Sequence, residues 1–312
     1  MASIYGRPKL RIGVWKEAFA FPFRNFFTLL QFSLVPTLIV VAISVVMLHY
    51  AWPSSIPIDT APVPEELERF LNPVHPALSV ASFVATILAL VIPVCIHRFI
   101  VLGEHPGWIF VRFGRYELAY AGAILVYVLV VLAIWMPIAA FIAASVFFGF
   151  VPAEIFTASG PLDPAVAGRL GMFVLLVAPG VLITIIVGCW IQARIALIFS
   201  DAAVAGRISL GVSWRAMKGN FWRFVAAVLI LVLVSSVFWG VVGGVIFAVT
   251  ANYFGFLSGF ATSDPVQFAN ALYGTFLIYI CLSPLYVFAF AMFVALISYV
   301  YADLVGARAA AR

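Results

Sequence analysis

Apolar residues in this chain come in long unbroken blocks, without the 3.6-residue stripe that marks a helix half-turned to water. Six blocks stand out, at Phe26–Tyr50, Ala77–Ile96, Leu118–Phe150, Leu170–Ala193, Phe224–Thr250 and Leu272–Tyr301. About 20 apolar residues at a rise of 1.5 Å cross a hydrocarbon core of about 30 Å, so each block predicts one transmembrane α-helix. The third is long enough to tilt strongly or to run past the bilayer. Barrel strands alternate polar and apolar positions, and these blocks do not. The pattern predicts an all-α, polytopic membrane protein with six transmembrane helices in a single membrane domain, residues 1–312.

Polar punctuation between the blocks repeats at about 100 residues, which predicts three repeated helical hairpins. Each odd-numbered span opens at a polar-aromatic step: Arg24-Asn25-Phe26-Phe27, Gly114-Arg115-Tyr116-Glu117 and Gly219-Asn220-Phe221-Trp222. Each even-numbered span follows a cap and a proline: Asn72-Pro73, Asp163-Pro164 and Asp264-Pro265. An Asn or Asp cap accepts an orphan N–H, and proline at the next position has none to satisfy. Each even span ends near a lone acid, Glu104, Asp201 or Asp303. The pseudo-repeats run over residues 12–104, 105–201 and 202–303.

A short interfacial helix carrying a tryptophan (Trp15, Trp108, Trp214) is expected to open each unit. In the third copy Ile208, Val212 and Met217 alternate with Ser209, Arg215 and Lys218, as for a helix lying on a leaflet. Tryptophan suits that depth because its ring is apolar and its N–H is not. The first outer connector, Ala51–Pro76, is proline-rich and reads as a stiff link.

Composition agrees with lipid as the solvent, since 65% of the 312 residues are hydrophobic and 9% are charged. Ordinary soluble domains carry about 25% charged residues. Charge then sets orientation. Six spans put the N-terminus, the 97–117 and 194–223 connectors and the C-terminus on one side, with 15 of the 17 Lys and Arg. The other side has only Arg69 and Arg169 but holds seven of the twelve acids. The positive-inside rule places both termini in the cytoplasm. The formal charge of +5 reads as topology and contact with anionic headgroups, not as nucleic-acid binding, for which no motif exists.

The spans carry little chemistry. Asp, Glu, Lys and Arg are absent from their central portions, where a coupled transporter normally buries a carboxylate. Mild polar groups such as Ser33, Thr184, Gln192 and Ser235 suit bonds between helices, and Gly240 with Gly244 suits a close helix approach within the bundle. Pro36, Pro93, Pro137, Pro179 and Pro284 are expected to kink their helices. Cys95, Cys189 and Cys281 all lie within spans and read as packing residues. No metalloprotease, phosphate-loop, nucleophile-elbow or Cys-pair motif occurs, so no catalytic residue, metal ligand or cofactor is expected.

Polar residues converge only at the predicted cytoplasmic rim. Arg24, Asn25, Arg115, Glu117, Asn220 and Arg223 sit at odd-helix starts; Arg98, Glu104, Arg194, Asp201 and Asp303 sit near even-helix ends. Antiparallel hairpins make the two sets neighbours, so the acids of the even ends are expected to pair with bases at the odd starts. Interfacial salt bridges and headgroup contacts are the first reading of the rim, and a ligand site is the second.

Ser213-Trp214-Arg215-Ala216-Met217-Lys218-Gly219-Asn220-Phe221-Trp222-Arg223-Phe224 resembles a segment of the membrane domain of bacterial glycerophosphodiester phosphodiesterases and of related uncharacterised six-helix inner-membrane proteins. The closing Ser298-Tyr299-Val300-Tyr301-Ala302-Asp303-Leu304 is similar to the end of that domain. No phosphodiesterase catalytic domain follows Arg312, so the hydrolase activity does not carry over. The resemblance implies a membrane module concerned with lipid or the envelope. The expected role is non-enzymatic, contacting membrane lipids or a membrane-protein partner; an uncoupled transporter or channel for a small or amphipathic solute is the alternative.

Overall fold

Among the residues that the computed structural model describes (9–51, 90–105, 114–147, 164–254 and 287–306), every regular element is a helix. In chain order these are α1 (Val14–Arg24), α2 (Phe26–Ala51), α3 (Val91–Leu102), α4 (Arg115–Phe147), α5 (Pro164–Ile195), α6 (Ile198–Ala205), α7 (Leu210–Met217) and α8 (Phe221–Phe254). Helix α9 covers residues 287–301 and runs into a π-helical turn, Ala302–Gly306. The connector Ala51–Pro76 beyond Ala51 itself, the caps Asn72, Asp163 and Asp264, Trp108 and most of the second expected span lie outside the described residues.

The stretches Arg115–Phe141, Gly171–Ala205, Phe221–Val245 and Val287–Gly306 are each long and apolar enough to cross a bilayer. By length and composition the chain is therefore an all-helical, multi-pass membrane protein. In the first three of these the apolar side chains are largely bare, with Leu125, Met136, Leu175, Ile186, Leu233 and Val241 all exposed, whereas Val287–Gly306 is half covered. Such faces are stable in lipid and costly in water.

Helix boundaries follow local chemistry. Pro164 is the first residue of α5, where its fixed φ and missing N–H cost nothing. Helices α3 and α6 end at Gly103 and Gly206, at φ +68° and +63°, in left-handed C-caps whose N–H bonds the carbonyl four residues back. The α1–α2 and α7–α8 junctions share a device. Asn25 donates its side-chain amide to Phe21 O at 3.0 Å, and Asn220 to Ala216 O at 3.3 Å. The carbonyl of each Asn accepts from the N–H four residues on, as does that of Gly114 at the start of α4.

Packing is concentrated at the end of the bundle where these junctions lie. Val14, Ala18 and Phe21 of α1, spaced as one helical face, are buried in a core shared with Phe32, Ile96, Leu197, Met217, Leu231, Met292 and Leu296. Phe21 meets Phe99 at a tilt and Tyr299 edge-on, at ring separations of 6.1 and 6.4 Å, drawing α1, α3 and α9 together. Both helices carrying Trp15 and Trp214 form. Helix α1 packs on α8 and α2, and α7 packs on α5, α6 and the turn Ala302–Gly306. Ile208 precedes α7 instead of belonging to it, and its side chain lies over Gly122 of α4. The close helix approach expected at Gly240 and Gly244 does not form among the described residues, none of which comes within 4 Å of an added Cβ there.

Candidate functional site

The polar end of the bundle contains the rim residues: Arg98, Asp201, Asn220, Arg223 and Asp303 tie one chain segment to another, while Asn25, Glu104, Arg115 and Glu117 bond locally. Asn220 is buried and accepts from Leu10 N at 2.9 Å, while Arg223 donates to Leu10 O at 3.2 Å. Both backbone groups of Leu10 are thus held at the start of α8. Arg11 forks onto Asp303, Nε to one oxygen at 3.0 Å and Nη2 to the other at 2.9 Å, and reaches Glu17 at 3.1 Å with Nη1. The charged partners raise the pKa of Arg11 further, the hydrogen bond to Asp303 contributing most.

The acids pair, but not with the partners expected. Glu104 takes a two-pronged bond from Arg98 at 2.8 and 2.7 Å, and Asp201 lies 3.7 Å from Arg207. Neither Arg98, Arg207 nor Arg11 is at an odd-helix start. Arg24, Arg115 and Arg223 form no ion pair with the three acids. For Glu104 and Asp201 the reason is reach, since a base on the same helix end or connector is closer than one across the hairpin; Asp303 is taken by Arg11 of the N-terminal segment, which belongs to neither rim set. Arg115 instead donates to Tyr116 Oη at 2.6 Å, and Arg98 stacks on the same ring at 4.0 Å while donating to Ala203 O at 3.3 Å. Glu117 turns back to accept Gly114 N at 2.9 Å, a local cap for α4. Arg24 and Asn25 stay at the α1–α2 junction.

Inside this rim is a buried polar cluster that the rim prediction did not include. His97 Nδ1 lies 2.7 Å from Ser298 Oγ and 3.1 Å from Ser200 Oγ, and all three residues are fully buried. Ser298 donates its own proton to Val294 O at 2.7 Å. Nδ1 must therefore carry the hydrogen at the short contact, which leaves Nε2 with a bare lone pair and no partner. Next to it, Asp201 accepts from Tyr301 Oη at 2.9 Å, while its second oxygen has no hydrogen bond. The three cluster positions are 97, 200 and 298, one from each of α3, α6 and α9. Their spacing near the repeat length was the available signal, overlooked because each residue is mild by itself.

Ser213 explains the interruption between α5 and α6. Its hydroxyl donates to Arg194 O at 2.7 Å and accepts from Leu197 N at 3.1 Å, satisfying groups that the helix break sets free. The Arg194 guanidinium packs against the touching indoles of Trp190 and Trp214, at 5.0 and 5.2 Å from the ring centroids. No group of three or more His, Cys, Asp or Glu able to hold a metal occurs among the described residues.

No protein family, characterised protein or solved structure matches this chain. Function must be read from the residues themselves.

Proposed function

We propose that the chain is an integral protein of the bacterial inner membrane, with six transmembrane helices in three repeated hairpins and both termini in the cytoplasm. It acts as a non-enzymatic module that contacts lipid or a membrane partner. The carrying observation is the division of labour along the bundle. Several rim polar groups, Asn220, Arg223 and Asp303 among them, are used in ties between segments, while the apolar faces of the long helices beyond them are bare. A catalytic centre needs convergent groups open to a substrate, and the convergent cluster found among the described residues, around His97, is sealed from solvent.

The repeat reading draws support from His97, Ser200 and Ser298 meeting from α3, α6 and α9, and from the matched bonds of Asn25 and Asn220. The segment resembling the phosphodiesterase membrane domain is a structural junction here, since its Ser213 and Asn220 are buried and bonded to other segments. That fits a shared scaffold without a shared reaction.

Extraction of the chain from native membrane in polymer-bounded discs tests this. Anionic lipids or a defined protein should co-purify above their bulk proportion, and the discs should turn over no lipid. Release of an entrapped solute from reconstituted vesicles would support the transporter reading instead, and hydrolysis of a headgroup would make the chain an enzyme.

A further inference from the structure

Arg194 is half-buried, and its Nε is shut off from solvent with no hydrogen-bond partner. Its guanidinium makes no hydrogen bond or ion pair among the described residues. Yet it is not loose. Trp190 and Trp214 meet edge to face at 5.3 Å and form a one-sided aromatic clamp against it, and Ser213 pins the Arg194 carbonyl. A planar cation packed on such a clamp with its two Nη groups unpaired is pre-organised for a phosphate oxygen pair.

What leads up to the clamp identifies the anion. Ile183, Ile186 and Trp190 precede Arg194 on the same face of α5, and all three are exposed, at 61%, 60% and 37%. From Ile183 to Arg194 the helix rises about 16 Å at 1.5 Å per residue, close to the half-thickness of a hydrocarbon core of about 30 Å. A bare apolar track one leaflet long, ending at an unpaired cation packed against two tryptophans, matches one phospholipid from acyl chain to headgroup.

We propose that Arg194, with Trp190 and Trp214, binds the phosphate of an anionic glycerophospholipid whose acyl chain lies along Ile183 and Ile186. The proposal rests on the lipid-contact reading and gives it a specific site. The charge of Arg194 selects anionic over zwitterionic headgroups, and the clamp requires a flat guanidinium, so lysine is a poor substitute.

The test is native mass spectrometry of the full chain in detergent, titrated with phosphatidylglycerol or with phosphatidylcholine of the same acyl chains. Wild type should retain phosphatidylglycerol more tightly, and Arg194→Gln should weaken that retention about tenfold, as loss of a charged hydrogen bond implies. Arg194→Lys should also weaken it, while Arg215→Gln and Lys218→Gln, at exposed positions on or beside α7, should not. Melting curves identify any variant that is merely misfolded, and Arg194→Lys keeps the charge should Arg194→Gln fail to fold. Unchanged retention in both Arg194 variants, with wild type still preferring the anionic lipid, would overturn the site and leave the lipid-contact reading standing. No preference in wild type would remove that reading as well. Displacement of the lipid by millimolar inorganic phosphate would assign the clamp to a free anion and overturn the proposal.

Discussion

Individual polar residues at the closed end of this bundle owe their roles to burial. Asn25 and Asn220 look alike in the sequence and make the same bond to the carbonyl four residues back. Only Asn220 also accepts Leu10 N, and it is buried where Asn25 is half-exposed. Replacing it strands a buried N–H, which costs about 1–3 kcal/mol, whereas a local bond near water contributes about 1. Asn220→Ala should therefore lower the melting temperature in detergent clearly more than Asn25→Ala. Equal shifts would mean that the N-terminal segment is not anchored at Leu10. The exposed pairs work differently. Arg11 is 60% exposed in its bridge to Asp303, so that bridge contributes about 1 kcal/mol or less and weakens with salt.

At the scale of elements, much of the plan was legible. The expected first span, Phe26–Tyr50, emerges as Phe26–Ala51, and the third, fourth and fifth blocks emerge as α4, α5 and α8 with ends shifted by a few residues. Apolar runs and a proline at N1 carry enough information for that. The break at Ala196 and Leu197 was not legible, because neither residue breaks helices and its cause, Ser213, sits across the connector. The partners of Glu104 and Asp201 were misread for a related reason: hairpin adjacency does not rank a neighbour's distance against that of a base on the same segment, and Arg11, which takes Asp303, lies outside both rim sets. Chain ends of helices also differ in how much they tolerate. Gly103 and Gly206 both have positive φ, but an added Cβ at Gly103 meets nothing within 4 Å, while at Gly206 it meets the Tyr116 ring at 3.1 Å. Gly103→Ala should cost about 1 kcal/mol of backbone strain. Gly206→Ala should cost more, because Tyr116 is stacked with Arg98 and Arg115 and cannot retreat freely. Thermal melting of the two variants checks the order, and a larger loss for Gly103→Ala would contradict the packing of α6 on α4.

The whole molecule follows from where polar groups are absent. Long helices without central charges must leave water, and the charges excluded from them collect at their ends. The densely tied end then acts as a clasp, holding Leu10 and Arg11 of the N-terminal segment against α8 and the turn after α9. The proposed account turns this clasp toward the cytoplasm and crosses the bilayer six times, so its most direct test is cysteine accessibility in intact cells. In a chain whose Cys95, Cys189 and Cys281 have been replaced, single cysteines at Ser55, Ser258 and Ala309 should be probed with a membrane-impermeant maleimide. The account predicts that Ser55→Cys and Ser258→Cys react from outside, and that Ala309→Cys reacts only after the membrane is permeabilised. Labelling of Ala309→Cys in intact cells, or protection of either outer position, would contradict it.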